Sequence, residues 1–231
     1  MSTVLKNPDK LVCGNTSETT LDTALHKLLT QKFPTTSRQL RTFCNMASRI
    51  LKFVDVFIKR CLNEFTKKIV SFVMFPIKRE FSTVCKSGKP GPKARQLMIA
   101  AECGNNARPG LRRCYYSFVD QELGMQSVNE KVRIPMVCCA FNQLRQCFIS
   151  EAEEVKQCTP RTIDYMARWA TEIYGELMDI MCYEYPESSD RCVKVISEIP
   201  EIDNNTVRPQ SFISPLITLL GNLGDDEGQP A

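Results

Sequence analysis

Histidine and the common catalytic motifs are what this sequence most clearly lacks. Among 231 residues there is one histidine, His26, in an amphipathic stretch with no nucleophile motif nearby. The Gly-x-Ser-x-Gly, P-loop, Gly-x-Gly-x-x-Gly and His-Glu-x-x-His motifs do not occur. We therefore predict that the protein is not an enzyme, that it uses no cofactor and that it holds no metal.

Long apolar runs and hairpin turns are missing as well. The longest run, from about Ile69 to Ile77, is interrupted by Ser71 and Pro76, whereas a membrane span needs roughly 20 apolar residues. The Asn-Gly and Asp-Gly dipeptides that mark tight β-hairpins do not occur. We expect neither a membrane span nor a β-sheet.

Cysteine is the residue that the sequence has in excess. The count is twelve, an even number, and such a load is rare in reducing compartments unless the thiols bind metal. The paired Cys-x2-Cys knuckles of cysteine metal sites do not occur. We expect every cysteine to form a disulfide, in a pairing that the sequence leaves open: Cys13, Cys44, Cys61, Cys85, Cys103, Cys114, Cys138, Cys139, Cys147, Cys158, Cys182 and Cys192.

Disulfides on this scale favour a secreted protein. Two glycosylation sequons, at Asn15 and Asn204, agree with export. Residues 1–14 lack the apolar core of a signal peptide, so we expect that none is present in this chain. Either a leader has been removed, or the gene starts earlier, or export follows another route. We predict a secreted glycoprotein.

The spacing of the cysteines repeats. The pattern Cys-x10-Cys-x23-Cys occurs twice with a shift of 44 residues, and its second half occurs once more upstream, at Cys61 and Cys85. Several apolar residues recur at matching offsets between the copies. The spacing therefore predicts degenerate helical-hairpin repeats of about 44 residues. The two full copies begin at Cys103 and Cys147.

Apolar residues three and four apart indicate helices along most of the chain. Thr159 followed by Pro160 is a typical helix start. We expect Pro76 to end or kink its helix, and the Gly104–Asn106 segment to separate two helices. We predict an all-α, disulfide-stapled array, with helices near 19–31, 37–73, 92–102, 109–124, 133–156, 160–182 and 189–198. It divides into a basic helical region over 1–92, a cysteine-repeat helical region over 93–199 and an extended, partly disordered tail over 200–231.

Charge is unevenly distributed. Residues 1–115 carry 21 Lys and Arg against 7 Asp and Glu, a net charge of +14, and the remainder carries −10. This asymmetry fits a surface for acidic partners or a self-association face, and the alternative is an ordinary solvated helix face. No nucleic-acid recognition motif accompanies it. The candidate basic face comprises Lys59, Arg60, Lys67, Lys68, Lys78 and Arg79.

One stretch resembles a known family. It runs from Cys138-Cys139 through Cys147, Cys158 and Cys182-Tyr183 to the Pro186–Cys192 segment. It is similar to cysteine-rich helical secreted proteins of arthropods, including the insect haemolymph glycoprotein family and its arachnid relatives. The likeness covers roughly residues 103–192 and implies secretion, glycosylation and a helical fold, with no binding residues to transfer.

Two functions fit these observations. The first is a secreted, non-enzymatic carrier whose stapled helices enclose a small apolar ligand. The alternative is an extracellular protein that binds acidic glycans or acidic partners through its basic half. Large apolar side chains could line a ligand space or simply fill the core: Phe43, Phe53, Phe57, Phe65, Phe72, Phe75, Tyr165, Met166, Trp169 and Tyr174.

Overall fold

The chain is a bundle of α-helices. The computed structural model describes residues 8–86, 89–186, 190–203 and 205–221, and these contain eight α-helices, one short 3₁₀ turn and no strand. The all-α prediction is confirmed. We number the helices α1 (Asn15–Thr30), α2 (Ser37–Cys61), α3 (Glu64–Val84), α4 (Pro92–Met125), α5 (Glu130–Glu153), α6 (Pro160–Met181), α7 (Arg191–Ser197) and α8 (Ile213–Gly221).

The single helix predicted over 37–73 is two helices. The apolar stripe runs on without interruption, but α2 ends at Cys61 and α3 begins at Glu64. Between them Asn63 has extended backbone, and its side-chain oxygen accepts a hydrogen bond from Thr66 N at 2.8 Å. This side-chain cap satisfies a backbone donor that a new helix start leaves without a partner, and it permits the chain to turn.

The two helices predicted over 92–102 and 109–124 are one. Helix α4 continues through Gly104, Asn105 and Pro109, and the first two make tertiary contacts with Phe33. Asn105 accepts from Phe33 N at 2.8 Å and donates to Phe33 O at 3.0 Å. Pro76 likewise lies inside α3 without ending it. Weak helix formers are tolerated where packing compensates for them.

All twelve cysteines are paired, as the sequence predicts. The adjacent Cys138 and Cys139 on α5 reach two different neighbours, the end of α6 and helix α7. Two bridges lie within residues 13–85 and four within residues 103–192, so no bridge joins the two sets. The bonds are 13–61, 44–85, 103–158, 114–147, 138–182 and 139–192.

The pairing is reciprocal between the two copies of the spacing pattern. Cys103 begins the first copy and bonds to the middle cysteine of the second, Cys158. Cys147 begins the second copy and bonds to the middle cysteine of the first, Cys114. The last cysteines of both copies bond to each other. Exchange of the copies would leave this pattern unchanged, although the structural repeat itself stays a prediction.

One large hydrophobic core joins the regions, beside a smaller cluster formed by Leu40, Val84, Ala94 and Leu97. Its buried residues run from Leu11 to Leu219 and come from the basic region, the cysteine-repeat region and the C-terminal segment alike. Helix α4 lies at the centre and packs against α3, α5, α6 and α8. Six disulfides of this kind are typical of an oxidising environment.

The prediction of an extended tail after residue 200 is wrong for residues 213–221, which form α8. Ile213, Leu216 and Leu219 are buried against the core, and burial of this apolar stripe stabilises a helix too short to form alone. On α1, the Asp22 carboxylate accepts from Gln210 N at 2.6 Å and Ser211 N at 2.8 Å, just before the positive end of α8. The predicted disordered end, 225–230, lies outside the described residues.

Candidate functional site

An apolar cavity lies among α1, α3, α4, α5 and α6. Its volume is about 200 Å³, and its walls are almost entirely hydrocarbon. For scale, an engineered apolar cavity of about 150 Å³ stays dry and binds benzene. The space is therefore large enough for a small apolar ligand.

Helical periodicity builds the walls. On α5, Phe141, Leu144 and Phe148 lie one turn apart and face the cavity. On α6 the same spacing brings Ile163, Met166, Ala167, Ala170 and Ile173 to the opposite wall. The sequence predicts the apolar stripe of α6, and for α5 it predicts a helix over 133–156. The cavity exists because the facing stripes combine large side chains with alanine and glycine, which leave part of the space between the helices unfilled.

Phe33, in the connection between α1 and α2, closes one side of the cavity. Its ring lies over Gly104 of α4, where a side-chain Cβ would come within 2.9 Å of the ring and 3.3 Å of the Met166 methyl carbon. The ring also contacts Trp169 edge to face, with 5.8 Å between the centroids. Asn105 fixes the Phe33 backbone from the same helix. Glycine at position 104 is therefore needed for this wall to approach α4.

The charged groups in the described walls are few and positive. Arg108, Arg112 and Arg145 line the cavity, and no Asp or Glu among the described residues does. The Arg108 guanidinium donates from Nη2 to the Thr30 carbonyl oxygen, while its buried Nε has no hydrogen-bond acceptor among the described residues. The buried Nε1 of Trp169 also lacks one there. An unsatisfied buried donor costs about 1–3 kcal/mol, so both positions favour a bound acceptor.

A more open depression adjoins the cavity. The two share Arg145, Ile149, Ile163 and Ala167, which therefore form a common wall. Asp164 and Arg168 line its outer side and form an ion pair, with 2.9 Å between Oδ2 and Nη2.

Of the aromatic and methionine side chains predicted for a ligand space, the structure brings Phe43, Met166 and Trp169 to the cavity. Phe53 and Phe57 are buried in the core elsewhere, and Tyr165 donates to the Lys93 carbonyl oxygen. The Tyr174 side chain lies outside the described residues. Phe65, Phe72 and Phe75 are 45%, 49% and 58% exposed on the outer side of α3.

Other lining residues escaped the sequence analysis. Phe33 belongs to a connection, Phe212 precedes α8, and Arg108 is a charged residue outside the candidate basic face. The residues next to them in the sequence do not indicate that they line a cavity. They meet there only because distant segments pack together.

The six candidate basic residues are divided between two helices. Lys59 and Arg60 end α2, and the other four lie on α3. Three are paired with carboxylates: Lys67 with Glu64, Lys78 with Asp55 and Arg79 with Glu80. Local pairing reduces the positive potential available to an acidic partner. Binding to acidic glycans stays a prediction.

His26 has a structural contact. It is half-buried, its Nδ1 lies 2.6 Å from Gln210 O, and its ring stacks on Tyr116 with 6.2 Å between centroids. It therefore helps to hold the segment before α8.

The described residues contain one group with metal-ligand proximity, formed by Cys114, Cys147 and Glu151. Its two sulfurs are bonded to each other, and Glu151 forms an ion pair with Arg113 at 2.8 Å. These atoms are therefore already occupied.

One of the two predicted glycosylation sites is described by the structure. Asn15 is exposed in the first turn of α1, whereas Asn204 lies outside the described residues.

Over the described part of the chain, none of the helices combines the length and apolarity required to cross a bilayer.

Comparison with known proteins gives no match. No protein-family model, no curated protein and no solved structure is significantly similar to this chain. Its function must therefore be argued from its own residues.

Proposed function

We propose that this protein is a secreted, non-enzymatic carrier of a small apolar molecule. The observation that supports the proposal is the hydrocarbon-walled cavity of about 200 Å³. Side chains in a protein core normally pack with few voids larger than a water molecule. A larger apolar space loses dispersion contacts and destabilises the fold unless a ligand restores them.

The covalent framework fits this role. Cys103–Cys158 and Cys114–Cys147 tie α4 to the two helices that face it across the cavity, α5 and the start of α6. These bonds resist collapse of the walls onto the empty space. A preformed cavity binds with a smaller ordering cost than one that must assemble around its ligand.

Trp169 provides a direct test. It is the only tryptophan of the chain, and it lines the cavity. We expect octan-1-ol, a neutral probe with an eight-carbon chain, to change the Trp169 fluorescence saturably. Native mass spectrometry of gently extracted protein should also show a co-purified ligand.

A matched pair of variants separates cavity binding from surface adsorption. Ala107→Leu fills the cavity from α4, whereas Asn106→Leu adds the same side chain at an exposed position of that helix. Binding of octan-1-ol should be lost in the first and retained in the second. Equal binding by both variants, or no saturable binding of any eight-carbon probe by the wild type, would refute the proposal.

A further inference from the structure

We propose that the ligand is an anionic amphiphile, with an apolar body in the cavity and a carboxylate or comparable anionic group at Arg108. This inference rests on the proposed carrier function and narrows it to one chemical class. Its basis is the combination, in one space, of hydrocarbon walls with a cation, Arg108, that has no counter-ion among the described residues.

A hydrogen bond to the backbone of α1 positions the Arg108 side chain. It is half-buried on α4, and its Nη2 donates to the Thr30 carbonyl oxygen at the end of α1. No carboxylate among the described residues pairs with it, and its buried Nε has no acceptor there. A partly buried guanidinium without a counter-ion is costly, and an anion that accepts from it forms a strong, charge-assisted hydrogen bond.

The other charges of the wall select the sign of the ligand. Arg112 and Arg145 also line the space, and among the described residues neither aspartate nor glutamate does. A cationic ligand would face the positive charge of Arg108, which no acidic wall residue among the described ones offsets. A neutral ligand would leave the Arg108 charge unpaired. An anion is the class that these charges favour.

The rest of the wall selects the shape of the ligand. Apart from the arginines, polar groups are few, and Trp169 Nε1 offers one further buried donor without an acceptor. Both donors need an acceptor and neither can accept. A ligand with one oxygen-rich end and a hydrocarbon remainder satisfies such walls, whereas a sugar or nucleotide would bury many unpaired hydroxyl groups.

Three probes with the same eight-carbon chain test the sign of the charge. Octanoate, octan-1-ol and octylammonium are titrated by calorimetry into the full chain at 0.15 M salt. We expect octanoate to bind about tenfold or more tightly than octan-1-ol, because of the added charge-assisted hydrogen bond, and octylammonium to bind most weakly.

Matched variants test the residue. Arg108→Gln should remove the preference for octanoate and leave octan-1-ol binding nearly unchanged, whereas Arg95→Gln, on the exposed side of the same helix, should keep the preference. Trp169→Phe should weaken octanoate binding by a smaller factor. Since the wild-type comparison needs no variant, a folding defect in Arg108→Gln leaves the test intact.

The outcomes distinguish the two proposals. Equal affinities for octanoate and octan-1-ol would overturn the anionic class and leave the carrier function standing. Tighter binding of octylammonium would do the same. Failure of all three probes to bind would remove both proposals.

Discussion

The hydroxyl of Tyr115 accepts a hydrogen bond from Phe212 N at 3.1 Å and donates one to Gln210 O at 3.1 Å. One phenol group on α4 thereby satisfies two backbone groups of the segment that leads into α8. The Tyr115 and Phe212 rings also meet edge to face, with 5.6 Å between centroids. This contact fixes Phe212, which closes part of the cavity wall.

Tyr115→Phe should loosen that segment. The buried amide of Phe212 loses this acceptor, so we expect a loss of about 1–3 kcal/mol in stability and faster exchange of the amide hydrogens near residue 212. Hydrogen-exchange mass spectrometry measures this. Tyr116→Phe removes a hydroxyl whose contact with Arg112 is 3.4 Å long, and it should change little. Similar exchange in both variants would contradict the assignment.

Glu122 should make the stability depend on pH. It is fully buried on α4, neither carboxyl oxygen has a hydrogen-bond partner among the described residues, and burial raises the pKa of Glu122 well above 4.5. Between pH 4.5 and the folded pKa, the unfolded carboxyl has lost its proton while the folded one keeps it. Stability attributable to Glu122 therefore falls by about 1.4 kcal/mol per pH unit as pH rises through this window.

Glu122→Gln removes this ionisation. We expect the variant to be more stable than the wild type near neutral pH and the two to converge near pH 4, as measured by urea unfolding. Glu102→Gln, at an exposed position of the same helix, should leave the wild-type slope in place. An unchanged slope in Glu122→Gln would show that Glu122 is not the group responsible.

Gly124 permits a close approach between α4 and the segment after α7. A Cβ at this position would lie 2.2 Å from the backbone oxygen of Pro200, and backbone cannot move aside as a flexible side chain can. Although alanine favours a helix over glycine by about 1 kcal/mol, the clash should exceed that gain. Gly124→Ala should lower stability by about 1–3 kcal/mol in thermal unfolding. Gly91→Ala, where a Cβ meets nothing within 4 Å, should be nearly neutral.

The same substitution should cost very different amounts of stability at two phenylalanines on neighbouring helices. Phe53 on α2 is fully buried, so Phe53→Ser should cost about 3–5 kcal/mol or more. Phe75 on α3 is 58% exposed, so Phe75→Ser should stay within about 0.5–1 kcal/mol of the wild type. Chemical unfolding measures both. A large loss in Phe75→Ser would show that another part of the chain covers this face.

The sequence predicted a helix most accurately where the cap, the initial proline and the apolar stripe were all present. Thr159 and Pro160 predicted the start of α6, and the structure shows a reciprocal cap in which Thr159 Oγ1 accepts from Thr162 N at 3.3 Å and Thr162 Oγ1 from Thr159 N at 2.9 Å. The predicted range, 160–182, matches Pro160–Met181 closely. A cap, an initial proline and a continuous apolar stripe all lie within one segment, so no distant contact is needed.

Prediction failed where distant contacts outweigh local preference. The 104–106 segment reads as a break, yet α4 needs Gly104 and Asn105 to receive Phe33. The cavity was even harder to predict. Periodicity identifies the apolar face of each helix but not the distance between the faces of two helices. That distance decides whether Trp169 fills a core or borders a cavity. For the same reason the sequence could predict complete disulfide formation but not the partners.

The separation of the six bridges into two sets has a consequence for limited proteolysis. A single cut between residues 86 and 91 would yield two fragments, each still cross-linked internally and neither covalently attached to the other. Denaturant alone, without a reductant, would separate them. Since each fragment keeps its own bridges, removal of the denaturant would allow them to reassemble by complementation around the hydrophobic surface that they share.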